Sequence, residues 1–161
     1  VDGLFIDMPN SRKEIAKEIG ALRAGFKGVP WGITQEEFHR RRPEVVLKEN
    51  SHKDIVGSYD ENFCGCPAEV LYLFRADKKW GLLSAYVDEV FISGLVSEFT
   101  DEFGKPSPPD SGHWVREDIL INMIRQYDGR WWVAVGGLTD GYIGLIPKST
   151  ALPSQHSQEK K

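Results

Sequence analysis

Two apolar runs, residues 69–75 and 80–87, are separated only by the short, mostly polar link Ala76-Asp77-Lys78-Lys79. A link this short predicts an antiparallel hairpin, because a parallel pair needs a crossover of a dozen residues or more. Any fold for the chain has to be built around that pair of strands. Shorter β-prone stretches follow the same logic at 45–48, 55–59, 119–127 and 130–135. Asp128-Gly129 joins the last two and predicts a two-residue type I′ turn, which needs positive φ at both central positions. A last strand is expected over 142–146, after a Gly- and Asp-containing turn and before Pro147.

The other segments carry helical spacing. Ser11 with Glu14 has the form of a capping box, and Ile15, Ile19 and Leu22 follow at helical intervals up to Gly25, predicting a helix over 12–24. Thr34 with Glu37 is a second capping box, and Pro43 keeps that helix short. Phe91, Leu95 and Phe99, widened by Val96 and Phe103, form an apolar stripe that ends at Gly104 and Pro106 and predicts a helix over 90–103. Its polar face carries Glu98, Asp101 and Glu102, which read as a solvated stripe.

Helices kept apart from hairpin-joined strands indicate an α+β domain, with a mainly antiparallel sheet of five to seven strands and helices packed on one face. The phosphate-binding glycines of a dinucleotide fold are missing. A helix-then-strands duplication, 34–87 against 90–146, has no residue-level repeat behind it. The expected organisation is an N-terminal helical extension over 1–25, a single domain over 26–148 and a polar tail over 149–161.

Composition narrows the function. The chain has 161 residues, 40% of them hydrophobic, and a net charge of −4. That supports one well-buried core and argues against a nucleic-acid partner. No apolar stretch approaches the roughly 20 residues of a membrane-spanning helix. A chain opening on Val1 rather than Met reads as a processed or trimmed product, which leaves a removed signal peptide open.

The opening Phe26-Lys27-Gly28-Val29-Pro30-Trp31-Gly32-Ile33-Thr34-Gln35-Glu36-Glu37-Phe38 resembles that of small bacterial α+β domains found in lipoproteins and other exported proteins. Tyr72-Leu73-Phe74, Lys78-Lys79 and Phe103-Gly104-Lys105-Pro106 fit the same pattern. In the order of helices and strands the chain is also distantly similar to envelope-assembly lipoproteins and β-lactamase-inhibitor-like domains. The resemblance implies protein–protein binding in a periplasmic or secreted setting, and it supplies no catalytic residue. The N-terminal helix and the two cysteines depart from it. Physically, the opening is a helix entry, with Pro30 restraining the approach, Gly32 taking an unusual backbone angle and Trp31 packing beneath the helix.

Several residue groups remain as candidate chemistry. Cys64-Gly65-Cys66 reads as structural thiols, with a redox pair or a metal site shared with His52 and His113 as alternatives. Neither a nucleophile elbow nor a zinc-protease motif is present, so no catalytic residue and no cofactor are assigned. Arg40 and Arg41, within the run from His39 to Arg42, suit either a carboxylate-rich partner or a solvated helix end. Trp131 and Trp132 are adjacent on a strand and therefore point to opposite faces. An exposed aromatic face is expected to use Trp132, Tyr142 and Trp114, with Trp80 and Tyr127 as extensions. The function expected is a non-enzymatic protein-binding or accessory domain of a bacterial exported system, acting through an aromatic sheet face or edge. Its partner is an unidentified protein, and a homodimer is left open. The alternative is a small-ligand-binding or enzymatic domain with a pocket near Cys64 and Cys66.

Overall fold

The computed structural model describes residues 9–74, 79–107 and 111–137. Helix α1 (Pro9–Ala21) leads into the two-residue strands β1 (Gly25–Phe26) and β2 (Val29–Pro30), then helix α2 (Gln35–Arg41). Strands β3 (Val46–Glu49), β4 (Ile55–Phe63), β5 (Cys66–Phe74) and β6 (Trp80–Asp88) form an antiparallel meander. A 3₁₀ turn (Glu89–Phe91) and helix α3 (Ile92–Phe103) connect to β7 (His113–Val115), β8 (Ile119–Arg125) and β9 (Arg130–Gly137). The main sheet has seven strands in the order β3-β4-β5-β6-β9-β8-β7, every neighbouring pair antiparallel. The α+β class expected from the sequence is the one observed. Each half of the sheet is a helix followed by a meander, and the halves meet at β6 and β9.

Local chemistry accounts for the helix limits. The Thr34 side chain caps α2 by accepting the Glu37 N–H at 3.2 Å. The helix ends at Arg42, ahead of Pro43, with the Arg42 N–H on the Phe38 carbonyl at 2.8 Å. Helix α3 buries Ile92, Leu95, Phe99 and Phe103 and stops at Gly104, whose φ of 84° is accessible to glycine at little cost. Helix α1 departs from expectation, since it opens at Pro9 and places Ser11 inside the helix rather than at its cap. Proline is well suited to a first helical position, where its missing N–H would have no partner anyway.

The turns also differ from the sequence reading. β8 and β9 are joined by residues 126–129, and only Gly129 has positive φ, at 84°. The Gln126 N–H reaches the Arg130 carbonyl at 2.8 Å, so the loop is longer than the type I′ turn expected of Asp128-Gly129. The two-residue turn lies elsewhere. Cys64 and Gly65, at φ 50° and 85°, connect β4 directly to β5, with Phe63 paired to Cys66. The expected strand over 142–146 lies outside the described residues.

The core sits between the helices and one face of the sheet, the inner face. Phe26, Phe38, Tyr72, Phe74, Trp80, Phe99 and Trp114 are fully or almost fully buried there. Trp31 donates its indole N–H to the Leu22 carbonyl at 2.7 Å and packs on Trp80 at 4.3 Å between ring centroids. Two of the acidic residues of α3 tie it to α1 and the loop after it, while Asp101 is exposed. Glu98 pairs with Arg12 at 3.1 Å, and Glu102 accepts from Arg23.

Candidate functional site

The cross-strand register sorts the outer face of the sheet into rows. One row runs Glu69–Tyr86–Trp132–Ile124, the next Leu71–Ser84–Ala134–Asn122–His113, and the third Leu73–Leu82–Gly136–Leu120–Val115. Strands whose other face already forms the core would normally present polar groups here. Instead the face is mostly apolar, and Leu82, Leu120, Ala134, Leu73 and Trp132 form a second hydrophobic cluster with no helical member.

The first row is the most distinctive. Tyr86 and Trp132 stack at 6.4 Å between centroids, and the Arg130 guanidinium lies 5.0 Å from the Tyr86 ring centre. Arg130 is held in place by Glu69 at 3.0 Å and Asp128 at 2.9 Å. Burial raises the Tyr86 phenol pKa and the nearby Glu69 charge adds to it, with Arg130 opposing both. Tyr86 and Trp132 are half-buried, and the Trp132 indole N–H has no acceptor among the described residues. Tryptophan, tyrosine and arginine in one partly exposed cluster is the composition typical of binding hot spots.

Trp131 and Trp132 take opposite faces as expected, Trp131 packing against the core. Trp114 and Trp80 do not belong to a surface. Both are fully buried on the inner face, with their indole N–H groups on the Gly104 carbonyl at 2.8 Å and the Leu82 carbonyl at 3.0 Å. Trp114 points inward because β7 pairs it with Ile121, beneath α3 and against Phe99. Tyr127 is fully exposed in the β8–β9 turn, and Tyr142 lies outside the described residues. Arg40 and Arg41 are exposed on α2 and both pair with Glu37, at 2.6 and 3.1 Å. Arg41 also donates to the Gly28 carbonyl at 3.1 Å, so that pair is committed to the helix and the loop beside it.

The cysteines occupy the β4–β5 turn as free, buried thiols. The Glu18 carboxylate of α1 accepts the Cys64 N–H at 2.8 Å, locking the helix onto the turn. Burial raises the Glu18 pKa, only partly offset by that hydrogen bond and by Lys27. Burial drives the Cys64 thiol pKa well up, and it drives that of Cys66 to about 12, with Glu18 adding to both. A thiol held protonated is a poor nucleophile and a poor metal ligand. His52 stands in the β3–β4 turn at one edge of the sheet and His113 on β7 at the other, so the metal set weighed as an alternative, Cys64 and Cys66 with these histidines, does not assemble. Among the described residues no three His, Cys, Asp or Glu side chains cluster so as to hold a metal ion.

A cluster that sequence reasoning missed lies beneath the turn on the inner face. Arg42 donates to Glu61 at 2.8 Å, to the Tyr72 hydroxyl at 3.0 Å and to Glu44 at 2.5 Å. Tyr72 donates to Glu61, and Lys27 lies 3.6 Å from the same carboxylate. Burial lowers the Arg42 pKa, but Glu44, Tyr72 and Glu61 together outweigh it and raise the pKa overall. Burial, then the Glu61 bond, raises the Tyr72 phenol pKa. The spacing of these residues along the chain gave no signal, because they come together only where the end of α2 meets β4 and β5.

Among the described residues no helix is long and apolar enough to cross a membrane. Compared with family models, curated proteins and solved structures, the chain matches none.

Proposed function

We propose that this chain is a non-enzymatic protein-binding or accessory domain of a bacterial exported system, engaging its partner through the Tyr86–Trp132 end of the outer sheet face. The observation that carries the reading is the stacked, half-buried aromatic pair with Arg130 over it, on a face to which no described helix contributes an apolar residue. Such anchors supply large contact area with few rotors to freeze, while Glu69 and Asp128 provide a polar rim. The exported setting rests on the resemblance of the 26–38 opening to small exported domains.

The test is capture of a partner from the native host by the tagged full chain, comparing wild type with Trp132→Ala and Tyr86→Ala. Lys17→Ala, on the exposed part of α1, serves as the control. The reading expects one captured species to disappear with either aromatic variant and to persist with the control, all four proteins showing the same far-ultraviolet circular dichroism. Unchanged capture by both aromatic variants would overturn it.

A further inference from the structure

The two edges of the main sheet are finished differently. At the β7 edge the outward carbonyls are satisfied, that of His113 by the Ser107 N–H at 2.8 Å and that of Val115 by the Arg116 guanidinium at 2.9 Å. Strand β3 has β4 on one side and, among the described residues, no strand on the other. The Asn50 N–H bonds the Asp54 carbonyl at 2.8 Å, in register with the β3–β4 pairs. Hydrogen-bonded pairs alternate along an antiparallel ladder, so Lys48 and Val46 turn their backbone groups toward β4. Leu47 and Glu49 turn theirs outward, where no described backbone group meets them. An unsealed edge of this kind is a template for one more strand, because its open N–H and C=O groups match the spacing of extended backbone.

A groove of about 690 Å³ runs beside this edge, with Gln35, Glu36 and His39 of α2 on one side and Val45, Val46 and Leu47 on the other. Val46 is 63% exposed, and Lys48 and Glu49 are exposed beyond it. Val45 and Leu47 belong to the inner face, and Glu49 follows them, paired with Ile55, which packs on the core. A strand added here puts alternate side chains into the groove, which couples backbone affinity to side-chain selection. Glu36 in the groove and Glu49, two residues beyond Leu47 on the same side, hold no ion pair among the described residues. Apolar Leu47 between two unpaired carboxylates suits an apolar side chain flanked by basic ones. A second copy of β3 is a poor match. Antiparallel self-pairing sets Glu49 against Val45, or Lys48 opposite Lys48, or Glu49 opposite Glu49, and like charges directly opposite are destabilising.

We infer that β3 and α2 bind an extended, basic peptide segment of a partner protein. The segment adds antiparallel to β3, with an apolar side chain over Leu47 and basic side chains beside Glu49 and Glu36. This site is separate from the Tyr86–Trp132 end of the outer face, so the inference does not rest on the docking reading and fails or holds separately from it.

The probe is the capped, fluorescent peptide Arg-Glu-Val-Val-Lys, whose first Val is set opposite Leu47, its Glu opposite Lys48 and its Arg opposite Glu49. Fluorescence anisotropy with the full chain should rise to saturation. N-methylation of the first Val removes the donor to the Leu47 carbonyl and should weaken binding by about tenfold. N-methylation of the second Val, whose N–H points away from β3, should change binding by less than about twofold. Glu49→Lys should weaken binding by about fivefold, and Trp132→Ala and Tyr86→Ala should leave it unchanged, all at wild-type circular dichroism. Absence of saturable binding, equal loss with the two methylated peptides, unaltered binding to Glu49→Lys, or loss of binding in the aromatic variants would each overturn the inference. A dimer in sedimentation that Glu49→Lys dissociates would give the edge to a second copy and overturn it as well.

Discussion

The Arg42–Glu61 pair yields the sharpest stability prediction. Their side chains are only 10% and 8% exposed and meet at 2.8 Å. Removing one partner of a buried pair costs about 3–5 kcal/mol, because the other charge is left without its partner in a medium of low polarity. Glu61 would keep Tyr72 and Lys27, so Arg42→Met belongs at the lower end, about 3 kcal/mol. At roughly 2–4 °C per kcal/mol for a chain of this size, that lowers the melting temperature by about 6–12 °C. Glu61→Gln leaves Arg42 bonded to Glu44 at 2.5 Å and costs about 2 kcal/mol, the loss of a hydrogen bond to a charged group. The double variant buries neither charge, so it should be less destabilised than the two single changes combined by about 2 kcal/mol. Urea unfolding followed by tryptophan fluorescence and by circular dichroism measures all four proteins, coincident transitions establishing two-state behaviour. Additivity within about 0.5 kcal/mol would refute the argument, since residues that do not interact add to that precision.

Alkaline pH should destabilise the fold through the β4–β5 turn. Burial keeps Cys66 protonated to about pH 12 and drives the Cys64 pKa well up too, whereas thiols in the unfolded chain ionise near about pH 8.5. The unfolded state therefore binds fewer protons above that pH, and stability falls by about 1.4 kcal/mol per pH unit for each thiol. Cys66→Ala should remove one thiol's share of that slope between pH 9 and 10.5 in urea titrations, and an unchanged slope would contradict the assignment. A chromogenic disulfide reagent should label neither Cys64 nor Cys66 in the native protein and both in denaturant, so rapid native labelling would show the turn to be open. Gly25→Ala would set a new Cβ at 1.9 Å from the Val29 carbonyl oxygen, a backbone contact no rotamer change relieves. It should cost about 3 kcal/mol, the upper part of the range for overpacking, and a melting temperature within 2 °C of wild type would be incompatible with the geometry of the β1–β2 loop.

What could be read from the sequence was whatever depends on neighbours along the chain. Thr34 caps α2, the α3 stripe ends at Gly104, and residues 69–87 form a hairpin, because each rests on spacing within a few residues. The turn at Cys64-Gly65 was not legible, since cysteine is not a residue expected at a left-handed turn position, and the surrounding stretch therefore read as separate strands. Strand β7 is three residues long, too short for a period of two to show. The direction of Trp114 followed from its pairing with Ile121 rather than from its composition. The outer-face rows depend on register across the sheet, and the Arg42–Glu61–Tyr72 cluster on the end of α2 meeting β4 and β5, neither of which local pattern encodes.

The meeting of β6 with β9 also bears on how the chain folds. Within each meander the strands pair with sequence neighbours, so both can form early at little cost in loop closure. The seam pairs Leu82 with Gly136 and Asp88 with Arg130, contacts spanning roughly 40 to 55 residues that require α3 and its following loop to close first. Slow, non-local zippering is therefore concentrated in one strand pair. Until it completes, β6 and β9 are each open sheet edges, and that interval is when the chain is most exposed to pairing with another copy of itself.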